Sequence, residues 1–462
     1  MKQLIADAWK GDTLEGLCRH VEIPAVSGSF DKNWEARGEL LNALNEAVRW
    51  AKTQLPHAYF EVSSLPNCPP VLYMDIPAFG GHTGKSVLCY GHLDKQPETV
   101  GWDADLGPWK PVVKEGKLWG RGCVDDGYNF YSIVTAVKAL EETKTAHPRI
   151  TGLYETDEES GSRDMAKYIA QYKDRIGKPG MVCILDLFAV DDQRVWLTQS
   201  LRGIVALTVK VSVLKKASHS GTASGIVPSS FRIMRILLDR LENAETGEVL
   251  IPSMYSEIPE EYIQGAHQLA ETFDPRQAFS YEGDTVSMKD SAFDAVIAGN
   301  WKPTLSVLGA DGLPPPDKAS GLVRTHTTLK LSFRIPPGVN AEQALADVKA
   351  RLTTDIPYHA SVTITDEHAA PGFAAPLMPD WLKASANELS QAIFGHDVGY
   401  TFTGGSIGVI TDFAKAFPEA FFINTGALLP DSSAHAPNEN LQLDYAEKLT
   451  LWVAELFARV PR

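Results

Sequence analysis

Cysteine is scarce and unpaired in this chain. Its 462 residues hold five, Cys18, Cys68, Cys89, Cys123 and Cys183, widely spaced and with no Cys-x-x-Cys among them. That excludes a disulfide-built scaffold and fits reduced thiols in a cytoplasmic protein. Long apolar runs are also missing: none approaches a membrane span, and Met1 to Lys10 has isolated charges and no apolar core of a signal peptide. Positive charge is short, with 43 Lys and Arg against 58 Asp and Glu and a net charge of -15. A nucleic-acid or anionic-membrane partner needs basic surface, so neither is expected. There are no internal repeats and no low-complexity segments.

What is present is the composition of a globular protein, 44% hydrophobic and 22% charged. The length exceeds what one core supports and predicts two domains, one inserted in the other. Helical spacing of apolar residues runs from Trp34 to Leu55. Strands are predicted at Val71 to Ile76, Ser86 to Tyr90, Ile150 to Leu153 and Met181 to Leu185, and helices at Tyr128 to Leu140 and Met165 to Tyr172. From Ile204 the pattern alternates (Val205, Leu207, Val209, Val211), the mark of a sheet with one wet face. Alternation returns at Leu329, Leu331, Phe333 and Ile335. Helices from Pro228 to Leu241 and Ala341 to Leu352 accompany these strands. Residues 242–301 give no clear strand. The α/β texture resumes at Asp380 and ends in a helix from Tyr445 to Ala458. The predicted organisation is a discontinuous α/β domain, 1–203 and 377–462, with a mostly parallel sheet flanked by helices. An α+β sandwich lies between its two parts at 204–376.

Chemistry-bearing residues gather at predicted strand ends and the loops beside them: His92 and Asp94 in Gly91-His92-Leu93-Asp94, Asp125-Asp126, Glu158-Glu159, Asp186, and His435. Each has a plain reading. Glu158 and Glu159 are acceptable helix-start acids, and Asp125-Asp126 an acceptable helix cap. Should the strands form one parallel sheet, all five of His92, Asp125, Glu159, Asp186 and His435 meet at its C-terminal edge. Carboxylates about 4 Å apart repel by about 4 kcal/mol at an effective dielectric of roughly 20, so such a pocket requires cations or protons. Mixed His and carboxylate donors suit two divalent ions, zinc first, with manganese or cobalt acceptable. Asp125 is the candidate bridge, and Glu158 a free carboxylate beside an anchored one, suited to take a proton from a bridging water.

The strings Tyr90-Gly91-His92-Leu93-Asp94, Gly120-Arg121-Gly122 ahead of Asp125-Asp126, Asp157-Glu158-Glu159-Ser160-Gly161-Ser162, Ser218-His219-Ser220-Gly221, Gly404-Gly405-Ser406-Ile407 and the late His435 occur in the order seen in a known family. The chain resembles the dinuclear zinc metallopeptidases that include carnosinase, cytosolic nonspecific dipeptidase, glutamate carboxypeptidase and acetylornithine deacetylase. The resemblance implies His92 and Asp186 on one metal, Glu159 and His435 on the other, Asp125 bridging, and Asp94 orienting His92. It further implies a cis Asp125-Asp126 bond and Glu158 as catalytic base. His219 would reach into the partner subunit of a homodimer formed through the inserted lid domain, and Arg334 would hold a substrate carboxylate. His368 and Ser406 are further substrate-binding candidates. The implied reaction is hydrolysis of a dipeptide or short peptide with a free C-terminal carboxylate, with N-acyl-amino-acid deacylation as the alternative and a catalytically silent binding protein behind it. Two departures stand out: Gly127-Tyr128-Asn129 replaces the common Lys-Gly after the acids, and Gly408 stands where Pro often follows Ile407.

Overall fold

The protein is described by a computed structural model covering residues 1–462 other than 273, 275–278 and 405–407. It divides into two compact units, Met1–Gln199 with Ala375–Thr401 and Ile407–Arg462, and Ser200–Ala374 with Phe402–Ser406. The first unit is built on a six-stranded mixed sheet in the order Tyr59–Ser63, Val71–Ile76, Ile150–Glu155, Val87–His92, Met181–Ile184, Phe421–Asn424. The last four run parallel. The first two are antiparallel to each other, and Val71–Ile76 is antiparallel to Ile150–Glu155. Residues 150–155 and 87–92 are buried without interruption, as expected of parallel strands covered on both faces. His92 sits opposite Glu155, so both strands deliver polar side chains at the same C-terminal edge.

The helix Tyr128–Glu142 is buried along almost its whole length, which a helix apolar all round requires. It packs against the last helix, Leu443–Ala458. The single N-terminal helix expected from Trp34 to Leu55 is broken. Gly38, at φ 72°, ends the turn Trp34–Arg37 and begins the helix Glu39–Gln54. Glycine enters the left-handed region without steric cost, so the apolar period continues through a break in the backbone.

The second unit is a four-stranded antiparallel sheet in the order Thr304–Asp311, His326–Ile335, Gly203–Ser212, Ser361–Ala370. Val205, Leu207, Val209 and Val211 join Leu329, Leu331, Phe333 and Ile335 in one buried core with Ile233, Leu237, Ala344 and Val348 from the helices Ser230–Leu238 and Ala341–Thr353. Period-2 alternation thus puts the helices on one face and leaves Lys330, Ser332 and Arg334 on the other. The helix at residue 230 starts two residues after Pro228 because the Ser229 hydroxyl caps it, accepting from the Arg232 N–H at 3.3 Å. No helix among the described residues is long and apolar enough to cross a membrane.

Candidate dinuclear metal centre

His92 is the last residue of its strand and is fully buried. Its Nδ1 lies 3.1 Å from the Asp94 main-chain carbonyl, which only accepts, so Nδ1 carries the proton and Nε2 presents a lone pair. Nε2 is 3.2 Å from Asp125 Oδ1, 3.7 Å from Asp186 Oδ2 and 3.9 Å from Glu158 Oε2. The residue before it must be glycine. A Cβ on Gly91 would meet Asn129 Nδ2 at 2.4 Å and Asp126 Oδ2 at 2.6 Å.

The Asp94 carboxylate is buried beneath this histidine, with Oδ1 3.4 Å from His92 Nδ1. It also accepts from the Glu158 N–H at 3.3 Å and the Glu159 N–H at 3.1 Å. One carboxylate therefore sets both the histidine and the 3-10 turn Glu158–Ser160 that carries the paired acids.

Asp125 differs from the expectation in its origin. It does not follow a strand of the main sheet. Its loop comes after the hairpin Val112–Lys114/Lys117–Trp119, which pairs with Asn440–Gln442 in a separate sheet. The loop turns at Gly122, φ 78°, and the Asp125-Asp126 peptide is cis. Asp125 points one oxygen each way: Oδ1 to His92 Nε2, and Oδ2 to His435 Nε2 at 2.9 Å. His435 Nε2 is also 3.2 Å from Glu159 Oε2.

Two sets of donors result, His92/Glu158/Asp186 and Asp125/Glu159/His435, each with its atoms within 4.8 Å of one another. Two imidazoles and four carboxylates fit a pair of divalent ions in kind and number, and Asp125, turned toward both imidazoles, is placed to be shared. The electrostatics agree. Burial, opposed by His92 and reinforced by Glu159, Asp125 and Asp94, pushes the Glu158 carboxyl up to about 8. Burial and the neighbouring acids Asp126 and Asp125 likewise hold Asp186 well above the usual range. Hydrogen bonds to Asp125 and Glu159 raise His435 to about 10. Such a cluster needs positive charge, and protons and cations compete to provide it.

Of the other expected site residues, His219, Arg334 and His368 are carried by the second unit. His219 is exposed in the short strand Ser218–His219, and its Nδ1 accepts from the Gly221 N–H at 3.1 Å. Arg334 stands opposite Thr304 and Ile204 on the polar face of the sheet, and His368 opposite Ala206 on the same face. Ser406 lies outside the described residues.

The departure at Gly127-Tyr128-Asn129 has a local cause. Asn129 Nδ2 donates to Asp126 Oδ2 at 2.8 Å and to the Tyr90 carbonyl at 2.9 Å. The Tyr128 hydroxyl donates to the Leu185 carbonyl and accepts from the Ala427 N–H at 2.8 Å, tying together the strand ends beside Asp186. Sequence reasoning also missed Gln96, whose amide donates to Glu159 Oε2 at 2.6 Å, and the buried pair Arg121–Glu439. The one available signal was Glu439 itself, an acid four residues after His435 in a loop whose other acid, Asp431, lies at its start.

A profile of Peptidase family M20/M25/M40 matches residues 88–459. The chain is 24% identical over 471 residues to Cys-Gly metallodipeptidase dug1 of Schizosaccharomyces pombe, covering 95% of this chain and 94% of that one. It is 26% identical over 435 residues to Beta-Ala-His dipeptidase of Homo sapiens, covering 90% and 81%. Its fold is that of the M20 family metallo-carboxypeptidase Sso-CP2 from Sulfolobus solfataricus, with a TM-score of 0.78 at 19% identity over 97% and 98% of the two chains. The profile match spans every donor of both sets, and the chain belongs to peptidase family M20/M25/M40.

Proposed function

We propose that this protein is a metal-dependent dipeptidase that cleaves dipeptides or short peptides with a free C-terminal carboxylate. The observation that carries the reading is the placement of Asp125 between two His/carboxylate donor sets with Glu158 beside them. His92 and Asp186 would hold one ion and Glu159 and His435 the other, with Asp125 available to both. Two divalent ions there, zinc by the donor chemistry, would offset the carboxylate charge and supply Lewis-acid polarisation of a carbonyl and a more acidic water. Glu158 removes the proton of the attacking water and passes it to the leaving amine, a role suited to a carboxyl raised toward neutral pH. Asp94 orients His92. His219, from the partner subunit, donates to the oxygen of the reacting carbonyl, and Arg334 pairs with the substrate carboxylate, a bidentate task for a guanidinium. His368 and Ser406 contact the remainder of the substrate.

The second unit serves as lid and dimer interface. Its strand Thr304–Asp311 is an edge strand, and Val307, Leu308, Ile226 and Phe231 are exposed on this unit, surface that a second copy can cover. Five free thiols suit a reducing, cytoplasmic setting. The deciding experiment is product analysis of the metal-loaded enzyme on a dipeptide panel beside N-acetyl and N-succinyl amino acids. Turnover confined to the acyl-amino acids replaces the dipeptidase reading with the deacylase one, and turnover of neither removes both. Sedimentation tests the assembly: a fully active monomer would refute the role of the partner's lid.

A further inference from the structure

Beneath the metal donors lies an ion pair that the proposed chemistry does not use. Glu439 Oε2 accepts from Arg121 Nη1 at 2.7 Å, and both side chains are 1% exposed. The other oxygen, Oε1, faces the main chain of the Asp125 loop, accepting from the N–H groups of Gly122 at 2.9 Å and of Val124 and Asp125 at 3.4 Å. The main chain joins as well. The Gly120 N–H donates to the Glu439 carbonyl at 3.0 Å, and Asn440 pairs with Trp119. Arg121 is held in its turn by Thr99 Oγ1 at 3.1 Å and lies over the Trp102 ring.

A buried ion pair seldom adds net stability over apolar residues of the same volume, because desolvation offsets the attraction. Its geometric consequence here is specific. Glu439 follows His435 by four residues, and its carboxylate closes on the amide of Asp125. These two loops come from opposite ends of the chain, and they supply two of the three donors of the Asp125/Glu159/His435 set. The remaining donor, Glu159, is set independently through Asp94.

We propose that Glu439, with Arg121, is a positioning residue that latches the His435 loop to the Asp125 loop and so preforms this one metal set. The proposal rests on the dinuclear reading above. It bears more on the ion of Glu159 and His435, for which both Asp125 and His435 lie on latched loops, than on the ion of His92 and Asp186, which shares Asp125 alone with the latch.

The test is Glu439→Gln, which keeps the shape and one acceptor oxygen but removes the charge that binds Arg121. Metal-free protein is titrated with cobalt(II) and followed by calorimetry and visible absorption. Wild type should take two equivalents. The variant should bind one equivalent about 10–100-fold more weakly, the usual cost of losing an outer partner, and the other, which shares only Asp125 with the latch, with a clearly smaller loss. Two equivalents at wild-type affinity would overturn the proposal, and so would equal weakening of both, the sign of a general structural role. A second measurement needs no variant. In metal-free wild type, the latch predicts that the Gly122 amide is protected from hydrogen exchange; exchange at the rate of an open loop overturns it. Failure of wild type to bind two equivalents refutes the dinuclear reading itself, whatever the exchange result.

Discussion

Glu158→Gln separates the two roles open to the most consequential side chain in the site. The Glu158 side chain is 20% exposed, its Oε2 is 3.9 Å from His92 Nε2, and it falls in one donor set with His92 and Asp186. Geometry alone therefore admits it as a third ligand or as a free base. Glutamine keeps the volume and the backbone bond to Asp94, and it removes the ability to accept and return a proton. A general base of this kind contributes about 10²–10⁴-fold, so kcat should fall by that factor, roughly 3–5.5 kcal/mol of barrier. Burial and its acidic neighbours raise the carboxyl to about 8 in the metal-free site, and the charge of bound cations would draw it back down, toward the range of a base at neutral pH. As a base, Glu158 can be replaced with little loss of metal. As a ligand, its replacement should release an ion, with a loss greater than the 10–100-fold or so that an outer partner costs. The assay is kcat and KM on a cleaved dipeptide, with metal content by mass spectrometry after dialysis and Asp186→Asn as the comparison. A variant within about tenfold of wild-type kcat refutes the base. Metal loss equal to that of Asp186→Asn makes Glu158 a ligand instead.

Gly91→Ala should destabilise the first unit by about 1–3 kcal/mol in denaturant unfolding, because its Cβ has no room against Asn129 and Asp126; unchanged stability would show that this packing relaxes freely. Chelation should abolish hydrolysis, with recovery on adding zinc, and should lower stability by about 4 kcal/mol relative to protein at a metal concentration 1,000-fold above Kd; a chelated enzyme of full activity would exclude a metal role. Glu155, buried and bonded to the Tyr90 hydroxyl at 2.6 Å, is pushed by burial up to about 8. A carboxyl raised above its unfolded value contributes stability that is full below that value, 4.5, and lost as pH rises through about 8. Chelated wild type should therefore lose stability from pH 5 to pH 8, with Glu155 supplying at most about 4 kcal/mol of the loss beside Glu158 and Asp186, and Glu155→Gln should make the loss smaller by that share; identical pH profiles for the two proteins would count against Glu155 as a source.

Much of the frame is legible in the residues because burial writes its period into them. The strand Val71–Ile76 is found at its predicted limits, and the alternation at 205–211 and 329–335 maps onto one buried face. Where the pattern misled, a local backbone event intervened: Gly38 breaks a helix whose apolar period runs on, and Thr304–Asp311, largely exposed at a sheet edge, has no buried face to show alternation. Asp125, expected at a strand end or an adjacent loop on the edge of one parallel sheet, leaves a hairpin held against Asn440–Gln442, a pairing between distant segments that no local window contains.

The sequence by itself determined the kinds of donor available and their order along the chain, since a metal pocket of imidazoles and carboxylates is a matter of side-chain chemistry. Only the tertiary structure decided how they divide. The two oxygens of Asp125 face two different histidines, Asp94 aligns His92 with both glutamates, and Glu439 joins loops more than 300 residues apart. Those choices depend on hydrogen-bond geometry of a few tenths of an ångström between segments remote in sequence, and that geometry is set by packing rather than by residue type.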